Sequence, residues 1–510
     1  MSRDVSPFQI TPLGCHPLKE GCGYWLETGS QGSILLDCGF EDPDVVPCAP
    51  DWVVISHAHL DHLQGLPAFH RRYPDVPILA TRATYHLAQS LGLDGIPPMR
   101  CLPYGRAVPL SEELTICLFE AGHLPGAAAV VLRWTDRDPA RTVVYTGDCS
   151  LSATRFAEGL NLEALRQWQP DVVLAESTLG IERYPSRRHQ ESLLLEKIAT
   201  ALDQGSIVLI PVPPLGLGQD LAFMLKTHHH FTRPELGLTL WLDEGVARGC
   251  EAYGQILADF PSSVRNFAQF QDLFWEERVL PHVRRLPTAP LETAGILLCD
   301  AERINWDPIW QALRASGRLL TWIEIPEVTP RVEIEQWPLD LRERIEVQPT
   351  RWHSHCDSST LVQIVHTLRP QHLVFLHGDP SARLDLATLP ELASRYHVHA
   401  PVVGHPLELT RSQLDLPPPP PDLRYEGSLE EQQSTRSTVR IQLPNQITRD
   451  PRWTEWADTG VLEARWQGSE LILRGLSARD VLRGADAERV PLDWHQQEPD
   501  PEAEWDQDLG

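Results

Sequence analysis

Up to about residue 410, short apolar runs alternate with patterns of helical period. The runs Ser33-Ile34-Leu35-Leu36-Asp37, Thr142-Val143-Val144-Tyr145-Thr146, Asp171-Val172-Val173-Leu174-Ala175, Ser206-Ile207-Val208-Leu209-Ile210 and His372-Leu373-Val374-Phe375-Leu376 read as buried strands. Residues 190–202 and 359–368 read as helices. Strands alternating with helices predict an α/β architecture. Several of the strands share a habit: each stops at a polar residue capable of chemistry. Asp37, His57, Asp148, Glu176 and His377 all stand at such ends, and loops at strand ends are where sites gather.

Leu416-Pro417-Pro418-Pro419-Pro420-Pro421 breaks the alternation and reads as a stiff polyproline linker. Beyond it, strand signals recur at 439–443, 461–466 and 471–474, with Gln467-Gly468 as a hairpin turn. Residues 496–510 are acidic, carry no Lys or Arg, and read as a solvated tail.

Composition narrows the class. A chain of 510 residues exceeds one hydrophobic core, so two or three domains are expected. No run approaches membrane-spanning length, and Met1-Ser2-Arg3-Asp4 does not open a signal peptide. The expectation is a cytoplasmic protein with no membrane partner. Ten scattered cysteines without a Cys-x-x-Cys pair argue against a thiolate zinc ribbon and against a disulfide framework. The net charge of −26 weighs against a large phosphate-gripping face, leaving room only for a local basic groove.

The densest chemistry is Ser56-His57-Ala58-His59-Leu60-Asp61-His62, at the end of the run Trp52-Val53-Val54-Ile55. Imidazole and carboxylate are the donors that zinc accepts, and catalytic zinc keeps a position open for water. In an extended segment His57 and His59 face one side, while Asp61 and His62 can turn to a second ion. His123 in Ala121-Gly122-His123-Leu124-Pro125-Gly126, Asp148 in Thr146-Gly147-Asp148-Cys149 and His377 in Leu376-His377-Gly378-Asp379 bring the set to seven. Seven such groups suit two ions joined by a carboxylate and a hydroxide. His228-His229-His230 reads as an exposed loop; His16 and His70 have no partner at ligand spacing. Trp453, Trp456 and Trp466 read as small-domain core rather than a base-stacking platform.

The ordered set Asp37, His57-Ala58-His59-Leu60-Asp61-His62, His123 and Asp148 resembles the metallo-β-lactamase fold, an αββα sandwich with metals at one edge of two sheets. Ala121-Gly122-His123-Leu124-Pro125-Gly126-Ala127-Ala128, Tyr145-Thr146-Gly147-Asp148-Cys149-Ser150, Glu176-Ser177-Thr178-Leu179-Gly180, His353-Ser354-His355-Cys356-Asp357 and Val374-Phe375-Leu376-His377-Gly378-Asp379 are similar to motifs of its nucleic-acid-processing β-CASP group. The 229 positions from Asp148 to His377 leave room for that group's inserted domain. The resemblance spans residues 8–410. It implies a metallo-β-lactamase domain at 1–180, an inserted α/β domain at 181–343, and a return segment at 344–412. The linker at 413–421, a small β-rich segment at 422–495 and the tail at 496–510 would follow.

The same resemblance implies roles. His57, His59 and His123 would hold one zinc; Asp61, His62 and His377 would hold the other; Asp148 would bridge. Asp37 would orient a ligand histidine. A hydroxide shared by the metals would attack phosphorus, with Asp61 beside it and His355 as general acid, oriented by Glu176. Taken alone, Glu176 reads as an acid at a helix N-terminus and His355 as a core histidine. Manganese or iron are alternative occupants.

Three places depart from the group. His353 stands where a small serine is usual, Leu217 in Pro214-Leu215-Gly216-Leu217-Gly218-Gln219-Asp220 where arginine is usual, and Leu297-Leu298-Cys299-Asp300-Ala301-Glu302-Arg303 where a glycine-rich loop is usual. The zinc chemistry is intact while these places alter the nucleic-acid cradle; on the motif set as a whole, the resemblance implies a dinuclear zinc phosphodiesterase cutting RNA internally or from an end. Two alternatives stand beside it. One is a hydrolase of a small ester, thioester or lactone. The other is a non-catalytic assembly subunit, binding a protein partner through its C-terminal segment; a homo-oligomer is open under any of these readings. Fold alone does not choose among them.

Overall fold

The computed structural model describes residues 8–410 except 17–20, 28–31, 136–139, 287–290, 292–293, 302–304 and 326–336. It also describes the strands Leu429–Gln432, Thr438–Ile441, Leu462–Gln467 and Glu470–Gly475. Two compact units divide the chain, 1–417 and 418–510.

Three sheets build the first unit. The first has seven strands in the order Leu407–Leu409, Phe8–His16, Gly21–Glu27, Ser33–Leu36, Trp52–Val54, Ile78–Ala80, Arg100–Cys101. The second, also of seven, runs His397–His399, His372–Leu376, Val172–Glu176, Arg141–Tyr145, Ala128–Trp134, Leu114–Glu120, Val108–Pro109. Each is antiparallel at one side and parallel at the other. Strand alternation explains how they pack. Ile34, Leu36 and Val54 of the first sheet share one apolar core with Val143, Tyr145, Val172, Leu174 and Leu376 of the second. Their neighbours Leu35, Val53, Val144 and Val173 belong to a separate core that includes Leu63, Leu66 and Phe69 of the helical segments. Facing sheets with helices outside make an α/β sandwich of the metallo-β-lactamase kind.

Strands Ile207–Val212, Thr239–Leu242, His282–Arg285, Gly295–Asp300, Leu320–Glu324 and Ile345–Pro349 form a third sheet, wholly parallel. Its strands Ile207–Val212 and Gly295–Asp300 are buried along their whole length, as crossover helices on both faces require. The helix at Arg187–Asp203 starts earlier than the apolar pattern suggests, because its first turn, Arg187-Arg188-His189, is polar. Leu217 begins the helix Leu217–Thr227.

In the second unit, Leu462–Gln467 pairs antiparallel with Glu470–Gly475, and Leu429–Gln432 with Thr438–Ile441. The polyproline run at 416–421, Trp453, Trp456, Gly468, residues 302–303 and the tail at 496–510 lie outside the described residues. Among the described residues, no helix is long and apolar enough to cross a membrane.

Candidate metal centre

The carboxyl ends of the parallel strands converge where the two sheets meet. Ser33–Leu36 delivers Asp37; Trp52–Val54 delivers Ser56, His57 and His59. Arg141–Tyr145 delivers Asp148, Val172–Glu176 ends on Glu176, and His372–Leu376 delivers His377. Asp37 and His377 both adopt left-handed backbone, at φ 60° and 56°. Non-glycine residues hold that conformation only where their surroundings dictate it. Asp61 and His62 lie in the short helix Leu60–Leu63, and His123 in the loop between two strands of the second sheet.

All seven predicted ligand residues meet. His57, His59, His123 and Asp148 form one group, and Asp61, His62 and His377 another, which also takes in Cys22. One oxygen of Asp148, Oδ2, lies between the groups, 3.5 Å from His57 Nε2, 3.3 Å from His62 Nε2 and 3.6 Å from His377 Nε2. Asp61 Oδ2 is 3.3 Å from His377 Nε2. The whole set is buried.

The hydrogen bonds around the five histidines assign their tautomers. His62 Nδ1 donates to Asp37 Oδ2 at 2.8 Å, His59 Nε2 to the Leu215 carbonyl at 3.1 Å, and His123 Nδ1 to the Ser354 carbonyl at 3.1 Å. The Ser56 hydroxyl donates to Asp37, so its oxygen accepts from His57 Nδ1 at 3.0 Å. Likewise the Thr178 hydroxyl donates to Glu176 and accepts from His377 Nδ1 at 2.9 Å. Every outward nitrogen therefore carries a proton held by the protein. The other nitrogens turn inward: His59 Nδ1 stands 3.2 Å from His57 Nε2 and 3.1 Å from His123 Nε2, and His377 Nε2 stands 3.3 Å from Asp61 Oδ2. His62 Nε2 and Asp148 Oδ1 are buried with no hydrogen-bond partner. Converging ring nitrogens, each backed by an outer hydrogen bond, and carboxylates are what a divalent cation requires of its host.

The electrostatics divide the histidines. Burial holds His57 and His123 well below the usual histidine range and His59 down to about 4, so these three stay neutral donors. Burial also opposes charge on His62, but Asp148, Asp61 and Asp37 outweigh it and hold His62 well above that range. Burial opposes ionisation of Asp148, yet His377, His62 and His57 keep its carboxyl well below the carboxylate range.

His355 stands beside this set. Its Nδ1 is 2.7 Å from Glu176 Oε2 and 3.9 Å from Asp148 Oδ2. Glu176 is buried, and its other oxygen accepts the backbone N–H of Cys149 at 2.6 Å and that of Cys356 at 3.4 Å. Behind His355 the chain enters the helix Ser358–Leu368, capped by Asp357, which accepts from Thr360 N at 2.8 Å.

The departures also have places. The His353 ring packs edge-on to Tyr184 at 4.4 Å and sits 3.1 Å from Gln190 Nε2. It helps line a cavity of about 150 Å³ with His355, Arg187 and Tyr184. Burial holds His353 down to about 4, so it is a neutral wall of that cavity. Leu217 is buried. Two arginines from elsewhere stand in its vicinity instead: Arg187 pairs with Asp220 and Glu191, and Arg155 binds Glu191 through two 2.9 Å bonds. His228, His229 and His230 follow the helix Leu217–Thr227, partly or fully exposed and away from the metal groups.

The site also uses residues to which the sequence assigned no role: Ser56, Thr178 and Cys22, and the carbonyls of Leu215 and Ser354. Four of them lie inside the quoted motifs, but their roles arise only from what the fold places next to the ligands.

Comparison with known proteins agrees with this geometry. The Beta-lactamase superfamily domain matches residues 33–206. An uncharacterized protein of Synechocystis sp. is 39% identical over 503 residues, 95% of this chain and 89% of that one. Ribonuclease TTHA0252 of Thermus thermophilus is 31% identical over 291 residues, 51% of this chain and 62% of its own. An RNase J-like protein of Methanocaldococcus jannaschii is 28% identical over 409 residues, 73% of this chain and 93% of its own. A sandwich whose edge carries a His/Asp cluster suited to divalent metal defines a metal-dependent hydrolase. The chain belongs to the metallo-β-lactamase superfamily and, within it, to the β-CASP group.

Proposed function

We propose that the protein is a dinuclear zinc phosphodiesterase that hydrolyses RNA. In this reading His57, His59 and His123 hold one ion, Asp61, His62 and His377 the other, and Asp148 both. Bound divalent ions would supply Lewis acidity and a water acidified to near-neutral pH. The observation that carries the reading is the convergence of the donors: each of five histidines has one ring nitrogen held by an outer hydrogen bond and turns the other towards Asp61 and Asp148. The mixed nitrogen and oxygen donor set suits zinc and also admits manganese or iron.

His355 does the proton work in this account. Glu176 accepts a hydrogen bond from its Nδ1–H and so favours the imidazolium, whose Nε2–H would be given to the departing oxygen. Asp61 and Asp148 keep the attacking side negative. Asp37 fixes His62 through one of four hydrogen bonds, the others coming from Ser56 N, Ser56 Oγ and Tyr145 Oη. The division into a hydrolase domain at 1–180 and 344–412, an inserted domain at 181–343 and a partner-binding segment at 422–495 belongs to the same proposal. So does RNA as the substrate, which the names of the ribonuclease relatives support.

A small-ester hydrolase would need neither the Glu176–His355 pair nor the third sheet, and a retired assembly subunit would have no reason to keep all seven ligand side chains together. The test is metal-loaded protein offered, in parallel, a labelled single-stranded RNA and a chromogenic thioester. Cleavage of RNA alone is the expected result; turnover of the thioester alone would transfer the site to the smaller substrate.

A further inference from the structure

Cys22 lies at the start of the strand Gly21–Glu27, fully buried between the two sheets. Its sulfur stands within 4.8 Å of ligand atoms of Asp61, His62 and His377. Ligands sharing one zinc ion at about 2.0–2.3 Å stand roughly 3.3–3.8 Å apart, so a small inward movement would complete a common shell. We propose that Cys22 is a ligand of the second metal ion, binding as a thiolate beside Asp61, His62 and His377. This rests on the two-ion reading above and adds a donor to it.

Independent features hold the sulfur there. Glycines flank Cys22 on both sides, and the loop it packs against is tight. A Cβ placed on Gly39 would lie 1.6 Å from the Asp61 carbonyl oxygen and 2.7 Å from Cys22 N. Gly39 N donates to the Cys22 carbonyl at 2.7 Å, and Gly378 N, next to His377, donates to the carbonyl of Cys15 at 3.0 Å. Cys15 is the cross-strand partner of Cys22. The strand is thereby tied to the segments that carry Asp61 and His377. Facing it, His62 Nε2 is buried and has no hydrogen-bond partner.

The thiol's surroundings show why a cation matters. Burial, Asp61 and Asp148 all push the Cys22 thiol well above the usual range, so the bare site keeps it protonated. A divalent ion reverses that local logic and deprotonates a coordinating thiol. The S–H bond breaks as the sulfur–metal bond forms, the proton leaves to solvent, and no electron is transferred. A thiolate is softer than the other donors, and its presence would bias this position towards zinc, cobalt or iron over manganese or magnesium.

Cobalt(II) tests this without turnover. The full-length apo protein, loaded with cobalt, is expected to show visible ligand-field bands from the histidine and carboxylate donors, plus a near-ultraviolet thiolate-to-cobalt charge-transfer band. In Cys22→Ser the visible bands should persist and the near-ultraviolet band vanish. In Cys149→Ser/Cys356→Ser, which removes the two thiols beside Asp148 and His355, and in Cys15→Ser, which removes the thiol across the strand from Cys22, it should remain. Cobalt bound with no charge-transfer band in the wild type, or the same band in Cys22→Ser, would overturn the thiolate ligand while leaving the two-ion site in place. No cobalt bound at all would remove the two-ion site itself, and the proposal with it. If Cys22→Ser fails to fold, the wild-type spectrum and that of the double variant still decide.

Discussion

Glu176 holds His355 through a 2.7 Å contact to Nδ1, while its other oxygen is anchored 2.6 Å from the backbone nitrogen of Cys149, the residue after Asp148. One carboxylate therefore fixes the distance between the proposed proton donor and the proposed bridging ligand. His355 is absent from both ligand groups of the proposal, so its role should separate from metal binding. His355→Ala is expected to lower kcat by about 100- to 10,000-fold, the usual contribution of a positioned acid, with unchanged metal content by elemental analysis. Glu176→Gln should shift the alkaline limb of the kcat–pH profile downwards, since the imidazolium loses its counter-charge. An unshifted profile would make Glu176 only a structural anchor.

Asp37 tests the support behind the metal. Four donors converge on its two oxygens. Asparagine tolerates the left-handed backbone there but offers one oxygen where two are used. Asp37→Asn is expected to weaken metal affinity by about 10- to 100-fold, read by competition with a chromogenic chelator. Unaltered affinity would mean that His62 is oriented by packing alone.

Gly39 should be among the least replaceable residues. A side-chain carbon would meet the Asp61 carbonyl at 1.6 Å, and that atom is backbone. Gly39→Ala is expected to lose stability on the order of 1–3 kcal/mol or more, measured by urea unfolding, together with metal affinity, because the strain falls on Asp61.

A separate pH effect lies in the third sheet. Burial, with Asp300 nearby, pushes the Asp243 carboxyl up to about 6, above the usual carboxylate range. The folded state then keeps a proton that the unfolded state has already released. Between about pH 4 and pH 6 this group's contribution to stability falls as pH rises, by on the order of 3 kcal/mol in total. Asp243→Asn cannot titrate, so the difference in urea-unfolding free energy between variant and wild type should change by that order across the window. A constant difference would refute the shift.

The sequence announces the ligands because chemistry demands those side chains at strand ends, as His57-Ala58-His59-Leu60-Asp61-His62 and Thr146-Gly147-Asp148 show. It is mute about the second ring of contacts. Leu215 and Ser354 act through carbonyls, which any residue possesses. Ser56 and Thr178 act through hydroxyls whose direction depends on Asp37 and Glu176. Cys22 precedes Asp61 by 39 positions and becomes its neighbour only when Gly21–Glu27 pairs with Ser33–Leu36 and packs on Gly39. Leu217 shows the reverse. Its place seemed to lack a cation, yet Arg155 and Arg187 reach Asp220 from other elements, which spacing along the chain does not show.

The central claim is that the buried histidine and aspartate cluster hydrolyses RNA. Its most direct test is cleavage of a labelled single-stranded RNA by metal-loaded protein, alongside His59→Ala and His355→Ala. The account predicts cleavage by the wild type, abolished by chelation, absent in His59→Ala and strongly reduced in His355→Ala. No cleavage under any metal condition, or cleavage that survives in His59→Ala, would contradict it.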